Sequence, residues 1–136
     1  MNAEQIAIAR DCHEGAETDR MTFPQSVAKL MDAGFDGYLV DLRRAARTFY
    51  VPDGESLDLS TAKITQDVAS RFDAESIRAA IREAQALSPG YTYRGFCAKV
   101  AAAGCAGYLV SFPGRRVLYF GRTGETHVEH FPGVQS

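Results

Sequence analysis

The chain repeats itself, and that repetition constrains its fold more than any other feature. Shifted by 70 positions, the sequence places Thr22 on Thr92, Ala28-Lys29 on Ala98-Lys99, Ala33-Gly34 on Ala103-Gly104, Gly37-Tyr38-Leu39-Val40 on Gly107-Tyr108-Leu109-Val110, and Gly54-Glu55 on Gly124-Glu125. Similar residues fill the gaps: Phe23 with Tyr93, Leu42 with Phe112, Phe49 with Tyr119. With one residue of slippage, Ala3-Glu4-Gln5-Ile6 lies over Ala74-Glu75-Ser76-Ile77. Two copies of a unit longer than the ~20–50 residues of solenoid repeats point to one pseudo-symmetric body, not a stack. The expected organisation is a single domain over 1–136, made of pseudo-repeats at about 1–68 and 72–136. A unit of that size is marginal alone, so the copies are expected to share a core.

Periodicity says what one copy becomes. Ile8, Cys12 and Ala16 recur at helical spacing over Ala3 to Ala16, as do Ile77, Ala80, Ile81, Ala84 and Leu87 in the second copy, with Asp73 as N-cap and Pro89-Gly90 as a stop. Thr22-Phe23-Pro24-Gln25 has the form of a capping box with proline in the first turn, and Gly34 and Gly104 suit left-handed helix ends. The period then changes to two, giving strands around Tyr38 to Leu42 and Tyr108 to Phe112, then Arg47 to Val51 and Arg116 to Phe120, then Ser56 to Leu59 and Thr126 to Phe131. Each copy reads α-α-β-β-β, and the fold class is α+β with helices packed on antiparallel sheet. The stretch 60–72 connects the copies.

Composition narrows the function. A net charge of −2 is a poor fit to a nucleic-acid module, so nucleic acid is an unlikely partner. The longest weakly polar run, Lys99 to Ser111, falls short of the ~18 residues of a membrane span, and no leader pattern opens the chain. Three cysteines without a paired spacing suggest a reduced, cytoplasmic protein. Cys97 and Cys105 read as core, and Cys12 beside His13 is not a dyad on a helix.

The strings Thr22-Phe23-Pro24-Gln25-Ser26-Val27-Ala28-Lys29-Leu30, Ala33-Gly34-Phe35-Asp36-Gly37-Tyr38, Tyr50-Val51-Pro52-Asp53-Gly54-Glu55 and the run from Tyr119 to Pro132 resemble the YbcV-like bacterial domain of unknown function, whose members often carry the label "phage envelope protein". The resemblance spans nearly the whole chain. It brings no established catalytic residues to carry over, and no cofactor is expected.

Three constellations invite a functional reading. In His127-Val128-Glu129-His130, His127 and Glu129 share a strand face, the spacing is not the zincin one, and no metal site or catalytic set is expected. Arginines recur in the hairpins, Arg43, Arg44 and Arg47 against Arg115, Arg116 and Arg122; solvated turns are favoured over paired anion sites. The third is the sheet itself. If Tyr38, Val40, Leu42, Phe49, Val51, Tyr108, Val110, Phe112, Val117 and Tyr119 face the helices, then Leu39, Tyr50, Leu109, Leu118 and Phe120 form a second, apolar face, with Asp41 and Ser111 as polar handles. Either the two meanders pack on each other through that face or it receives a partner or ligand.

The preferred expectation is a non-enzymatic binding module, homodimeric through the apolar sheet face, with Leu39, Asp41, Tyr50, Leu109, Ser111, Arg116, Leu118, Phe120, His127 and Glu129 as partner or ligand residues. The alternative is a small enzyme or sensor of a small anionic ligand, its pocket near the repeat interface and built from Asp41, Tyr50, Arg116, Tyr119, His127 and Glu129.

Overall fold

The computed structural model describes residues 1–131. The element order is α1 (Ala3–Glu17), α2 (Phe23–Asp32), β1 (Gly37–Asp41), β2 (Ala46–Tyr50), β3 (Ser56–Ser60), α3 (Ala74–Ala86), α4 (Tyr93–Ala102), β4 (Cys105–Ser111), β5 (Arg116–Gly121) and β6 (Thr126–His130). The protein is therefore α+β, and the α-α-β-β-β order occurs twice. Positions 132–136, the end of the expected second repeat, lie outside the described residues.

Local chemistry sets the element boundaries. At α2 the Thr22 side chain accepts from the Gln25 N–H while Gln25 Oε1 accepts from the Thr22 N–H, and Pro24 sits inside the first turn where its missing donor is harmless. Thr92 caps α4 with its side chain alone, since position 95 is glycine. Gly34 (φ 90°) and Gly104 (φ 94°) close α2 and α4 in a backbone conformation that a Cβ disfavours. The 60–73 connection has no helix or strand beyond Ser60; it is tied down where the Ala69 and Asp73 N–H groups donate to the Ala101 and Ala103 carbonyls.

All six strands form one antiparallel sheet in the order β3-β2-β1-β4-β5-β6. The meanders thus lie side by side and do not pack face to face. Their junction is the β1–β4 ladder, where Gly37 pairs with Ser111, Leu39 with Leu109 and Asp41 with Gly107, so the 70-residue offset exchanges the two strands about Leu39 and Leu109. Both glycines are needed there: a Cβ on Gly37 would lie 2.2 Å from the Val110 carbonyl oxygen, and one on Gly107 2.3 Å from that of Val40.

The helices cover one face of the sheet, and the core lies between. Every strand residue expected on that face is buried, and Ile77, Ile81, Leu30, Phe96 and Val100 meet them from the helices. Cys12, Cys97 and Cys105 are free and buried, and burial raises the pKa of each thiol, with Cys105 pushed up to about 11. Leu87 corrects the α3 stripe. It is the helix C-cap, left-handed at φ 48°, and stands 57% exposed. No helix among the described residues is long and apolar enough to cross a membrane.

Candidate functional site

Arg47 corrects the reading of the hairpin arginines as solvated. It occupies the middle of β2, on the ladder row opposite Val40 and Leu59, and is only 3% exposed. Its Nη1 donates to His13 Nδ1 of α1 (3.1 Å) and its Nη2 to the Tyr93 hydroxyl of α4 (2.8 Å). The guanidinium carbon lies 5.5 Å from the Tyr38 ring centroid and 5.3 Å from that of Tyr93. Among the described residues Arg47 makes no ion pair, whereas the nearby Glu17 is taken by Arg94. A guanidinium does not deprotonate inside a protein, so a full charge is buried here on neutral partners. Desolvating an ion costs several kcal/mol; cation–π contact and hydrogen bonds return only about 0.5–3 kcal/mol each.

The partners fix one another's protonation. Burial and then the Arg47 charge hold the His13 imidazole below its ordinary pKa. In the neutral ring, Nδ1 must accept from Arg47, which only donates, and Nε2–H must donate to the Ser60 carbonyl 3.0 Å away, which only accepts. Tyr93 in turn meets the Tyr108 hydroxyl at 2.7 Å. Burial pushes the Tyr38 phenol up to about 12 and raises Tyr93, Tyr108 and Tyr119 as well, so at neutral pH all four stay protonated and none is a base.

This cluster forms part of the wall of a cavity of about 440 Å³ between the helices and the sheet. Tyr38, Arg47, Phe96, Tyr108, Val117 and Tyr119 are among its buried lining, and the exposed residues Asp19, Phe23, Pro24, Gln85 and Leu87 mark its rim. Phe131 packs edge-on against Phe23 at 5.7 Å. Two lining residues keep a buried polar atom without a partner: Arg47 Nε and Ser26 Oγ. Buried polar atoms are nearly always paired, so two orphans on residues of one cavity wall set this wall apart. A more open depression of about 450 Å³ around Asn2, Gln5, Gly34, Val51 and Pro52 contains no such atom.

The residues singled out from sequence fall on both sides of the sheet. Tyr119, His127 and Glu129 share the helix-facing side, where Glu129 and Tyr119 line the cavity, and His127 Nε2 lies 2.9 Å from Glu129 Oε1. Asp41, Tyr50 and Arg116 are on the opposite face, so the sheet does not bring them to that trio. Asp41 Oδ1 accepts from the Arg43 and Arg44 N–H groups (3.0 Å each) and Ser111 Oγ from the Gly114 N–H (2.9 Å); both are engaged in holding their hairpin turns. On the outer face Leu39, Leu109, Leu118 and Val128 make one row across four strands, with Leu109 and Val128 each 37% exposed. Phe120 is half-buried, its ring over Gly107.

Sequence reasoning missed Ser26, His13, Tyr93 and the inward Arg47. For Arg47 the signal was present: it lies two residues before Phe49, and alternation puts both on one side. Among the described residues no group of three or more His, Cys, Asp or Glu side chains is placed to hold a metal ion. No curated protein matches the chain. Residues 14–129, which carry His13's neighbour Glu14 through Glu129 and so nearly all of the cavity, match the family model described as protein of unknown function (DUF1398), and the chain belongs to that family.

Proposed function

We propose that this protein is a non-enzymatic binding module that takes up a small anionic molecule in the cavity between its helices and its sheet. The observation that carries the reading is Arg47: a buried, permanent positive charge, without a carboxylate partner among the described residues, in the wall of a cavity of ligand size. An anion on the free edge of the guanidinium would replace the missing counter-charge and satisfy Nε. Exposed apolar side chains at the rim, Phe23 and Leu87, are consistent with an entry point. The three cysteines without a paired spacing favour a cytoplasmic setting, and the resemblance to YbcV-like proteins adds no chemistry. Calorimetric titration with small organic anions tests the reading: binding that disappears in Arg47→Met is expected, and binding indifferent to that substitution would refute it.

A second reading, homodimerisation through the outer sheet face, is favoured by the row Leu39, Leu109, Leu118 and Val128. Light scattering after size exclusion on wild type and Leu109→Asp tests it. A dimer that becomes monomeric is expected, and a wild-type monomer removes the idea.

A further inference from the structure

We infer that the ligand is an aromatic monocarboxylate, its carboxylate on Arg47 and its ring among the aromatic walls; this rests on the anion-binding reading above. Charge sets the head group. Among the described residues lining the cavity Arg47 is the one lysine or arginine and so the one permanent cation; His130 is also in the lining, and Asp19 and Glu129 are acidic. A single cation in a low-dielectric site balances one negative charge; a phosphate dianion would leave the second uncompensated.

Several of the backbone donors that phosphates use are also taken. At the start of α2 the Thr22 N–H is given to Gln25 Oε1 (2.9 Å) and Pro24 has none. At the start of α4 the Tyr93 N–H donates to Asp19 Oδ1 (2.8 Å) and the Gly95 N–H to Thr92 Oγ1 (3.0 Å). What remains is a fork. Arg47 Nε is unpaired, and each Nη spends one of its two hydrogens, on His13 and Tyr93. Nε with an adjacent Nη presents the parallel pair of donors that matches a carboxylate's two oxygens, and Ser26 Oγ is a further unused group on the same wall.

The walls set the body. Phe23, Tyr91, Phe96, Tyr119 and Phe131 contribute rings to the lining, with Ile81 beside them. The rings already meet one another edge-on or tilted: Phe96 with Tyr108 and Tyr119, at 6.5 Å each, and Phe23 with Phe131. A flat ring entering such a set makes the offset and edge contacts that aromatic pairs prefer, worth about 0.5–1.5 kcal/mol apiece beyond area burial, which a flexible alkyl chain does not make.

The test is a titration of the full chain with three probes: trans-cinnamate, hexanoate and phenyl phosphate, on wild type and Arg47→Met, with circular dichroism to check folding. Cinnamate is expected to bind at least roughly tenfold more tightly than either other probe, and to lose roughly 100-fold in Arg47→Met, the scale of a charge-assisted pair. Hexanoate equal to cinnamate, or phenyl phosphate tighter, with Arg47 still required, would overturn the aromatic monocarboxylate and leave anion binding standing. No binding by any probe, or binding indifferent to Arg47, would overturn both. If Arg47→Met does not fold, the ranking of the three probes on wild type decides the ligand class.

Discussion

Positions 47 and 117 are related by the 70-residue offset, lie on β2 and β5, and line the same cavity, yet one is arginine and the other valine. Their neighbours match far better: Tyr38 and Tyr108 both line the cavity, as do Phe23 and Tyr93. Ser26 in the first half is opposed by Phe96 in the second. The first half thus supplies the charge and an unpaired hydroxyl, and the second supplies mainly aromatic wall. Electrostatics explains why the halves differ at this point. A symmetric site would put two guanidiniums into the wall of one cavity, where like charges repel while each also bears its own desolvation cost.

Restoring the symmetry breaks the comparison most severely. Val117→Arg places a second cation in the cavity, and a buried charge without a partner costs about 3–5 kcal/mol. Urea denaturation should show a loss of that order. A loss below about 1 kcal/mol would mean that the second guanidinium reaches solvent and that the cavity tolerates two.

The reverse substitution sharpens the comparison from the other side. Arg47→Met makes both halves apolar with little change in volume; it removes the desolvation cost of a buried charge, and this opposes the cost of leaving His13 Nδ1 and the Tyr93 hydroxyl without that donor. Unfolding free energy in the absence of ligand is expected to stay within about 1 kcal/mol of wild type or to rise, while anion binding is lost. A drop of 3 kcal/mol or more would show that Arg47 holds the structure together through His13 and Tyr93 and is not held in readiness for a ligand.

Much of this was readable beforehand because it rests on local rules. The helix pairs, Thr22 and Asp73 as caps, Gly34 and Gly104 as stops, and the inward set from Tyr38 to Tyr119 follow from periodicity and capping chemistry acting over a few residues. The joining of two meanders into one sheet was not readable, because edge pairing between β1 and β4 is a long-range choice; only the close approach at Gly37 and Gly107 gives it a local trace. The site was missed for a related reason. Arginine beside a turn is ordinarily solvated, and Arg47 is drawn inward by His13, 34 residues away, and Tyr93, 46 away. Asp41 and Ser111 looked like binding handles because sequence shows their polarity and not the turn N–H groups they satisfy.

His13 offers a pH test of the same asymmetry, since with the one-residue slippage that relates the first helices its equivalent is Ala84, which does not titrate. The folded-state pKa of His13 is lowered, so between that value and about 6.5 the unfolded chain binds more protons than the folded one. Its contribution is therefore complete above about pH 6.5 and is lost as pH falls through that window. Chemical denaturation of wild type and His13→Gln from pH 7.5 to 5 should show a steeper decline for wild type. Parallel declines would mean that neither burial nor the Arg47 charge lowers the pKa of the ring in the folded chain.

The smallest difference lies at the helix starts. Thr92 Oγ1 accepts from the Gly95 N–H at 3.0 Å with no reciprocal side chain at position 95, whereas Thr22 Oγ1 accepts from the Gln25 N–H at 3.4 Å and shares the work with Gln25 Oε1, which still reaches the Thr22 backbone N–H when the threonine side chain is removed. Loss of an N-cap side chain costs about 1 kcal/mol where it is the sole acceptor. Thr92→Ala should therefore cost about 1 kcal/mol and Thr22→Ala about half as much, read from paired urea titrations. Equal losses would show that the reciprocal glutamine contributes nothing to α2, and the two halves would then differ in their caps by sequence alone.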